Sequence, residues 1–235
     1  MGSDVNETAD VVYAPSEDTF LLIDAIENSN IMGCCRALDV GCGSGAVTET
    51  LLKVSDEVVA VDLQVSALKA TRGRVRTELH RVHLIASDRV AFLRTQARIE
   101  LIACNPPYLP IEPDERFDPN IHAGLRGTEF SEELMKSLVE ILGGRRWVLL
   151  LVTSSLADYE SLFRLSEDLG FFIEVAGKQK LFFEEIFCLR LRPLTRRSTH
   201  ERPANVFYPL RHRLLNTNGI GRTEVNKKGP TDGVP

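Results

Sequence analysis

The 235-residue sequence lacks the long apolar runs of a membrane protein and contains no C-x-x-C pair. No apolar run approaches the roughly 18 residues that span a bilayer, and residues 1–10 are polar and acidic. The five cysteines lie mostly in strand-like or glycine-rich contexts, as is typical of reduced cytosolic thiols. We therefore expect a protein that is neither secreted nor bound to a membrane, located in the cytoplasm, with the nucleus as the alternative.

Metal ligands are also sparse. The five histidines are scattered, with His80 and His83 the nearest pair, and no spacing is typical of a zinc site. We predict no metal ion. There is no internal repeat, and 235 residues with 43% apolar content are enough to build one α/β domain.

Charge is distributed unevenly along the chain. Residues 193–235 carry eight basic and three acidic side chains, and because the whole chain has a net charge of −5, residues 1–192 carry −10. An acidic surface disfavours the phosphate backbone of nucleic acids, whereas a basic tail could contact RNA or an acidic partner. We predict a folded domain over 1–192 and a basic, disordered extension over 193–235.

A glycine-rich turn follows the first apolar segment, in residues 38–45 (LDVGCGSG). Its glycines permit positive φ and close approach of the backbone to a ligand, and the helical pattern that follows offers free N–H groups. Asp62 ends the next predicted strand about 20 residues after the first glycine, where doubly wound folds place an acid that binds ribose hydroxyls. The loop alone fits either a dinucleotide or S-adenosylmethionine.

Residues Asn105, Pro106, Pro107 and Tyr108 carry the strongest chemical signal, directly after the apolar run 99–104. Two prolines fix two φ angles and remove two backbone donors, so the Asn105 amide and nearby carbonyls project with little freedom. These acceptors and the ring of Tyr108 form a receptor for a planar nitrogen, such as a side-chain amide or a nucleobase amine. With the glycine loop, this catalytic motif favours an S-adenosylmethionine-dependent methyltransferase over a dinucleotide oxidoreductase.

The alternation of periodicities predicts a doubly wound α/β fold with its ligands outside the carboxyl ends of the strands. A short connection over 177–180 predicts a final antiparallel hairpin, and hence a parallel sheet closed by one antiparallel strand. The long loop 109–126 is expected to face the substrate. Predicted strands cover 57–61, 82–86, 99–104, 147–153, 171–176 and 181–191, and predicted helices cover 19–27, capped by Ser16, and 129–142, with helical stripes over 47–54, 65–79 and 159–169.

Residues 13–22 (YAPSEDTFLL), the glycine loop and the Asn105 motif together resemble the HemK/PrmC family of glutamine N5-methyltransferases. The match covers about Val12 to Leu191 and follows the short eukaryotic and archaeal form. It implies a Rossmann-like class I S-adenosylmethionine-dependent methyltransferase, with a seven-stranded mostly parallel sheet and an antiparallel C-terminal hairpin. The implied substrate is the glutamine of the Gly-Gly-Gln tripeptide in a class I translation release factor. The implied partner is a small zinc-binding activator subunit that forms a heterodimer by covering the third strand near Val82 to Ile85.

The resemblance also implies a cofactor site. Asp62 would accept the ribose hydroxyls and Asp88 the adenine amine, while Asp39 would lie near the methionine ammonium. Arg89 occupies a position where the family usually has an apolar residue. The implied cofactor-binding residues are Thr19, Asp39, Gly41, Gly43, Gly45, Asp62, Asp88, Arg89 and Asn105.

In the implied mechanism, the substrate amide donates hydrogen bonds to the Asn105 side-chain oxygen and a Pro106 carbonyl, while Tyr108 packs the substrate. Three alternatives remain open at this level. An N6-adenine methyltransferase would hold a flipped base in the same receptor, although the acidic core disfavours nucleic acid. A lysine-directed protein methyltransferase would place a neutral amine there, and a noncatalytic scaffold would have to lose the intact glycine loop.

Overall fold

A computed structural model describes residues 12–31, 33–95 and 97–194. No helix within these ranges is long and apolar enough to cross a membrane. The elements are α1 (Glu17–Glu27), β1 (Cys34–Val40), α2 (Ala46–Leu51), β2 (Ser55–Asp62), α3 (Val65–Arg74), a 3₁₀ turn (Leu79–Arg81), β3 (Val82–Ala86), β4 (Leu101–Cys104), β5 (Leu109–Pro110), β6 (His122–Gly124), α4 (Glu129–Leu142), β7 (Val148–Ser154), α5 (Tyr159–Asp168), β8 (Phe171–Lys180) and β9 (Glu185–Pro193).

Seven strands of the described chain form one sheet in the order β3-β2-β1-β4-β7-β9-β8. Neighbouring strands are parallel except where β9 pairs with β7 and β8. The strand order reverses between β1 and β4, and ligands of doubly wound folds bind at such a point, outside the carboxyl ends of the strands. The predicted fold class, including the single antiparallel strand, is confirmed.

The strand register brings the motifs of the sequence together. Val40 of β1 pairs with Val61 on one side and with Cys104 on the other. Strands β1, β2 and β4 therefore end at the same level of the sheet. The residues that follow these three positions are Gly41, Asp62 and Asn105. Parallel strands with aligned ends place these residues side by side at one edge.

The central strands are buried on both faces, which explains their nearly continuous apolar sequences. All residues of β4 are inaccessible to solvent, and β7 is buried after its first residue. Helices α1 and α2 pack in one core cluster with residues of β1 and with alternate residues of β2, β4, β7 and β9. Helix α4 buries Leu134, Met135 and Leu138 completely, so a helix that begins beside the carboxyl edge is anchored deep in the core.

The structure corrects two local predictions. Residues 177–180, predicted as the hairpin connection, belong to β8, and the turn lies at 181–184 instead. The polar residues 177–180 are tolerated in a strand because β8 forms the edge of the sheet and extends into solvent, whereas the turn that follows is unexpectedly apolar. Ser16 occupies the N-cap position of α1 but makes no capping hydrogen bond, because its hydroxyl donates to Glu17.

The loop after the Asn105 motif contains a short ladder between β5 and β6, which sequence analysis did not predict. The predicted boundary at 192/193 falls inside β9, which ends at Pro193. Residues 195–235 lie outside the described residues, and the predicted disorder of the basic extension stays a prediction. Residues 1–11 also lie outside the described residues.

Candidate active site

A cavity of about 770 Å³ opens at the carboxyl edge of the sheet, where β1, β2, β3 and β4 end. All four residues of the Asn105 motif line it, together with most of the predicted cofactor-binding residues. Asp39 and Gly45 do not line it. The predicted site residues in its wall are Thr19, Gly41, Gly43, Asp62, Asp88, Arg89, Asn105, Pro106, Pro107 and Tyr108.

Gly45 supports the glycine loop from behind. It adopts a φ of 82° at the N-cap of α2, and a Cβ there would lie 2.8 Å from the Cα of Thr71. Only glycine satisfies both the left-handed backbone and the contact with the α3 backbone. The Thr71 hydroxyl donates to the Gly43 carbonyl at 3.1 Å, so α3 fixes the loop through contact and hydrogen bonding.

Asp62 joins the end of β2 to the glycine loop. One carboxyl oxygen accepts the Gly43 N–H at 3.0 Å, and the other accepts the Gln64 N–H at 2.9 Å. The side chain is only partly buried and lines the cavity. Because each carboxyl oxygen has a second lone pair, Asp62 is oriented by the backbone and can still accept a bond from a ligand hydroxyl.

Asp39 lies beneath the loop, only 1% exposed, and accepts the Thr48 hydroxyl at 2.5 Å. Burial, with a smaller contribution from the charge of Asp62, raises the pKa of Asp39 to about 7. The site is therefore poorly suited to a permanent unpaired carboxylate. The direct contact between Asp39 and the cofactor ammonium stays a prediction, and the observed contact supports the base of the loop.

Asp88 and Arg89 form the wall after β3. Arg89 has a left-handed φ of 45°, an unfavourable conformation for a residue with a Cβ. Its guanidinium lies 2.7 Å from Glu133, 3.2 Å from Asp88 and 5.3 Å from the centre of the Phe130 ring. These contacts fix a cationic side chain at the position where the resemblance predicts an apolar one.

The Asn105 side chain is oriented through a donor and acceptor relay. The Asp18 carboxylate can only accept, so the Thr19 hydroxyl, 3.2 Å away, donates to it. The Thr19 oxygen then accepts from Nδ2 of Asn105 at 3.3 Å. This arrangement leaves Oδ1 of Asn105 buried and without a hydrogen-bond partner among the described residues. An unsatisfied buried acceptor costs about 1–3 kcal/mol, and it is the kind of group that a substrate donor would satisfy.

The Asp18 carboxylate also accepts hydrogen bonds from two tyrosine hydroxyls, that of Tyr13 at 3.0 Å and that of Tyr108 at 3.2 Å. Burial, with the nearby charge of Asp18, raises the pKa of both tyrosines well above the usual range, so both stay protonated donors. Asp18 is 5% exposed. No role in the site is predicted for Asp18 from the sequence, although it lies between Tyr13 and Thr19 in the segment 13–22 that carries the family resemblance.

The loop after Tyr108 returns against the Asn105 motif. A Cβ on Gly127, which has a φ of 72°, would overlap with the Tyr108 carbonyl oxygen. Glycine is therefore required where the loop leads into α4. The N–H of Tyr108 donates to the Ile121 carbonyl at 3.1 Å, and buried His122 lies 3.3 Å from Glu115. The loop is thus internally braced.

The residues present fit S-adenosylmethionine. Seven carboxylates and a single guanidinium line the cavity in the described chain, so it favours a ligand with ammonium and sulfonium charges. Oriented carboxylates at the ends of β2 and β3 suit hydroxyl and amine donors. Across the described residues, no group of three or more His, Cys, Asp or Glu side chains is arranged to hold a metal ion.

Comparison with known proteins agrees with this geometry. The sequence profile of the methyltransferase small domain matches residues 16–182. Methyltransferase HEMK2 of Homo sapiens is 30% identical over 169 residues, covering 68% of this chain and 79% of the relative. The chain belongs to the HemK-type methyltransferases of the methyltransferase small domain family. The family resemblance, the enzyme class and the S-adenosylmethionine cofactor predicted from the sequence are confirmed.

Two further relatives of this methyltransferase are informative. A release factor glutamine methyltransferase of Bordetella pertussis is 34% identical, over 57% of this chain and 51% of the relative. The structure of an E. cuniculi Mtq2-Trm112 complex, described as responsible for methylation of the eRF1 translation termination factor, superimposes with a TM-score of 0.64. It covers 78% of this chain and 99% of that one at 24% identity, which supports the fold of the methyltransferase.

Proposed function

We propose that this methyltransferase methylates the side-chain amide nitrogen of the glutamine in the Gly-Gly-Gln tripeptide of a class I translation release factor. The unsatisfied Oδ1 of Asn105 carries the proposal. Because Nδ2 of Asn105 donates to the Thr19 hydroxyl, the side chain cannot simply turn over, and Oδ1 is available to accept a hydrogen bond from an N–H group of the substrate. The side-chain amide of glutamine has two such donors.

The proposed chemistry depends on alignment. When bound, S-adenosylmethionine would supply an electrophilic methyl group and be left as a neutral thioether, and the methylated amide nitrogen would release one of its two protons to solvent. An amide nitrogen is a weak nucleophile because its lone pair is delocalised, so Asn105 and a Pro106 carbonyl would hold the nitrogen in place and stabilise the positive charge that grows on it. Tyr108 is fixed by Asp18 and would pack against the substrate.

The remaining wall would hold the cofactor. Asp62, oriented by Gly43, would accept the ribose hydroxyls, and Asp88 would accept the adenine amine. Arg89 is held by ion pairs beside Asp88 and would close the same end of the site. The proposed roles give Asp62 and Asp88, which both line the cavity, a hydrogen-bond donor on the ligand.

Glutamine is favoured over adenine by charge. The cavity carries seven carboxylates against one guanidinium, and phosphate contacts dominate the affinity of proteins for nucleic acids. The names of two relatives specify release factors or eRF1 as their substrates. A protein substrate presenting an uncharged amide avoids the repulsion that a phosphate backbone would meet.

We further propose that a small zinc-binding subunit, of the kind named Trm112 in the E. cuniculi complex, covers β3 to form a heterodimer. Strand β3 lies at the edge of the sheet, and Leu84 and Ile85 are only partly buried. An uncovered edge strand with apolar side chains promotes association. Because release factors act on ribosomes, the heterodimer would work in the cytoplasm.

Transfer of labelled methyl groups tests the substrate. The full chain, produced with a Trm112-type subunit, is incubated with labelled S-adenosylmethionine and a release factor, its Gln→Ala variant, its Gln→Lys variant, or adenine-containing RNA and DNA. We expect label on the unmodified release factor alone. Label on the lysine variant or on nucleic acid, with none on glutamine, would replace the proposed substrate with one of those alternatives.

Production of the chain with and without the small subunit tests the heterodimer. We expect a higher soluble yield, a complex containing one equivalent of each chain, and zinc in that complex. Equal yields and separate elution would contradict the need for a partner at β3.

A further inference from the structure

The turn between β8 and β9 exposes two adjacent aromatic rings. Phe182 is 91% exposed and Phe183 is 85% exposed, with ring centres 4.6 Å apart in an edge-to-face arrangement. Scattered exposed apolar residues are common, but two adjacent and highly exposed phenylalanines concentrate apolar area at one turn. The fold itself gives this pair no packing role.

The position of the turn follows from the topology. Strand β8 is parallel to β1 and β4, because β9 is antiparallel to both β7 and β8. The end of β8 therefore lies at the carboxyl edge of the sheet, where the cavity opens. Leu181 and Glu184, on either side of the aromatic pair, line the cavity, whereas neither phenylalanine does.

The turn is firmly attached to that edge. Leu181 donates its N–H to the Glu184 carbonyl at 2.8 Å, and the Glu184 carboxylate accepts the hydroxyl of Ser154 at the end of β7. The Glu185 N–H donates to the Ser155 hydroxyl at 2.9 Å. The rings are therefore presented on a short, braced turn, which lowers the entropy lost when a partner covers them.

Charge favours a protein partner over a nucleic acid. Exposed aromatic rings can stack on bases, but such sites combine stacking with a basic groove. Residues 178–185 contain two lysines and two glutamates, and Lys178 is paired with Glu185 at 3.1 Å. The segment therefore has no net positive charge, and it lies next to an acidic cavity, so it lacks the basic groove that binds phosphates.

We propose that Phe182 and Phe183 dock an apolar patch on the folded protein substrate, beside the loop that carries the methylated residue. The proposal rests on the proposed function, since it requires a protein substrate at the cavity. Because the rings lie beyond the residues that line the cavity, a short peptide occupying the cavity leaves them uncovered. The docking contact would thus distinguish the intact substrate from its isolated tripeptide segment.

The test compares two substrates for a Phe182→Ala/Phe183→Ala variant, using the full chain with its Trm112-type subunit. For the intact release factor we expect kcat/KM to fall roughly 10- to 100-fold, mainly through KM, as for loss of aromatic anchors at interfaces. For a short peptide containing Gly-Gly-Gln we expect a change below about twofold. Leu194→Ala is the matched control, because Leu194 is 40% exposed and follows the end of β9 at the opposite edge of the sheet.

Several outcomes would overturn the docking role. Equal losses on protein and peptide would mean that the turn shapes the cavity, and an unchanged kcat/KM for the intact protein would mean that the rings contact nothing in the complex. If the double variant lost RNA binding, the rings would be assigned to an RNA partner. If it lost self-association, measured by light scattering, they would be assigned to a second copy of the chain. If the unsubstituted enzyme methylated no release factor, this result would contradict the proposed function itself. The docking role would then be contradicted as well, because it requires that substrate.

Discussion

The two halves of the cavity wall are held together differently. In the glycine-loop half, formed by residues 41–45 with Asp62, the carboxylate binds backbone N–H groups and α3 packs against the loop. In the Asn105 half, formed by Asp18, Thr19, Asn105 and Tyr108, side chains bind side chains across 86–90 residues of sequence. The glycine-loop half is therefore held by hydrogen bonds to the backbone, and the Asn105 half is held by hydrogen bonds between side chains.

We infer from this difference that one half of the wall mainly determines the affinity for the cofactor and the other mainly determines the rate of methyl transfer. The glycine-loop half depends on the conformation of its backbone and on its packing against α3, so changes there should alter folding and cofactor binding. The Asn105 half retains a buried acceptor without a partner among the described residues. Changes there should lower turnover far more than they lower the affinity for the cofactor.

The largest expected effect is on turnover in Asn105→Ala. Removing the free acceptor should lower kcat about 100- to 1000-fold, as for loss of one preorganised group that stabilises growing charge. The dissociation constant for S-adenosylmethionine, measured by calorimetry, should change only a few-fold. Asn28→Ala, at the exposed end of α1, is the control and should keep full activity. Parallel losses of turnover and cofactor binding would refute the separation between the two halves.

Asp39 should make stability depend on pH. Its pKa rises from 3.8 to about 7 on folding, so the folded state holds the proton more tightly than the unfolded state does. The stabilisation is complete below about pH 4 and is lost as pH rises towards 7, by up to about 4 kcal/mol. Urea unfolding from pH 4 to 7.5 should therefore show a steeper loss of stability for the wild type than for Asp39→Asn. Identical pH profiles would show that Asp39 does not titrate in this window.

Gly45→Ala should weaken the fold by about 2–4 kcal/mol, because it combines an unfavourable φ with overlap against the α3 backbone. Gly33→Ala supplies the comparison: its φ of 67° is also left-handed, but its Cβ would meet no atom within 4 Å. That variant should lose only about 1 kcal/mol. Equal losses in thermal unfolding would mean that the contact with Thr71 contributes nothing.

The smallest expected effect comes from Asp18→Asn, which retains the shape of the side chain but removes its charge. An amide can donate as well as accept, so the direction of the Thr19 relay is no longer fixed. We expect kcat to fall about tenfold with KM and cofactor affinity nearly constant. Asp24→Asn, exposed on the same helix, should have no effect. A change in KM alone would assign Asp18 to substrate binding.

The glycine-loop half could be predicted well from sequence, because its signals are local. An apolar strand, spaced glycines, and an acid at the end of the next strand determine backbone shape over about 25 residues. The strand 82–86 and the helix 129–142 were also placed correctly, since each combines a clear periodicity with clear ends. The Asn105 motif was located for the same reason.

The contacts of the relay and the position of the aromatic turn do not follow from such local signals. Asp18 resembles an ordinary acid in the first turn of a helix until α1 packs beside the end of β4 and buries it. The apolar residues 181–183 resemble the start of a strand, and the polar residues 177–180 resemble a turn, because hydrophobicity alone does not show where an edge strand leaves the core.

The sequence by itself determined which functional group follows which strand along the chain. A glycine loop follows the first strand, an acid follows the second, and a rigid amide follows the fourth. These features depend on φ restrictions and periodicity, which act between near neighbours. Tertiary structure alone decided that Oδ1 of Asn105 remains without a partner among the described residues and where Phe182 and Phe183 emerge. Both depend on contacts between residues far apart in sequence, and such contacts exist only after strands with aligned ends have assembled into the sheet.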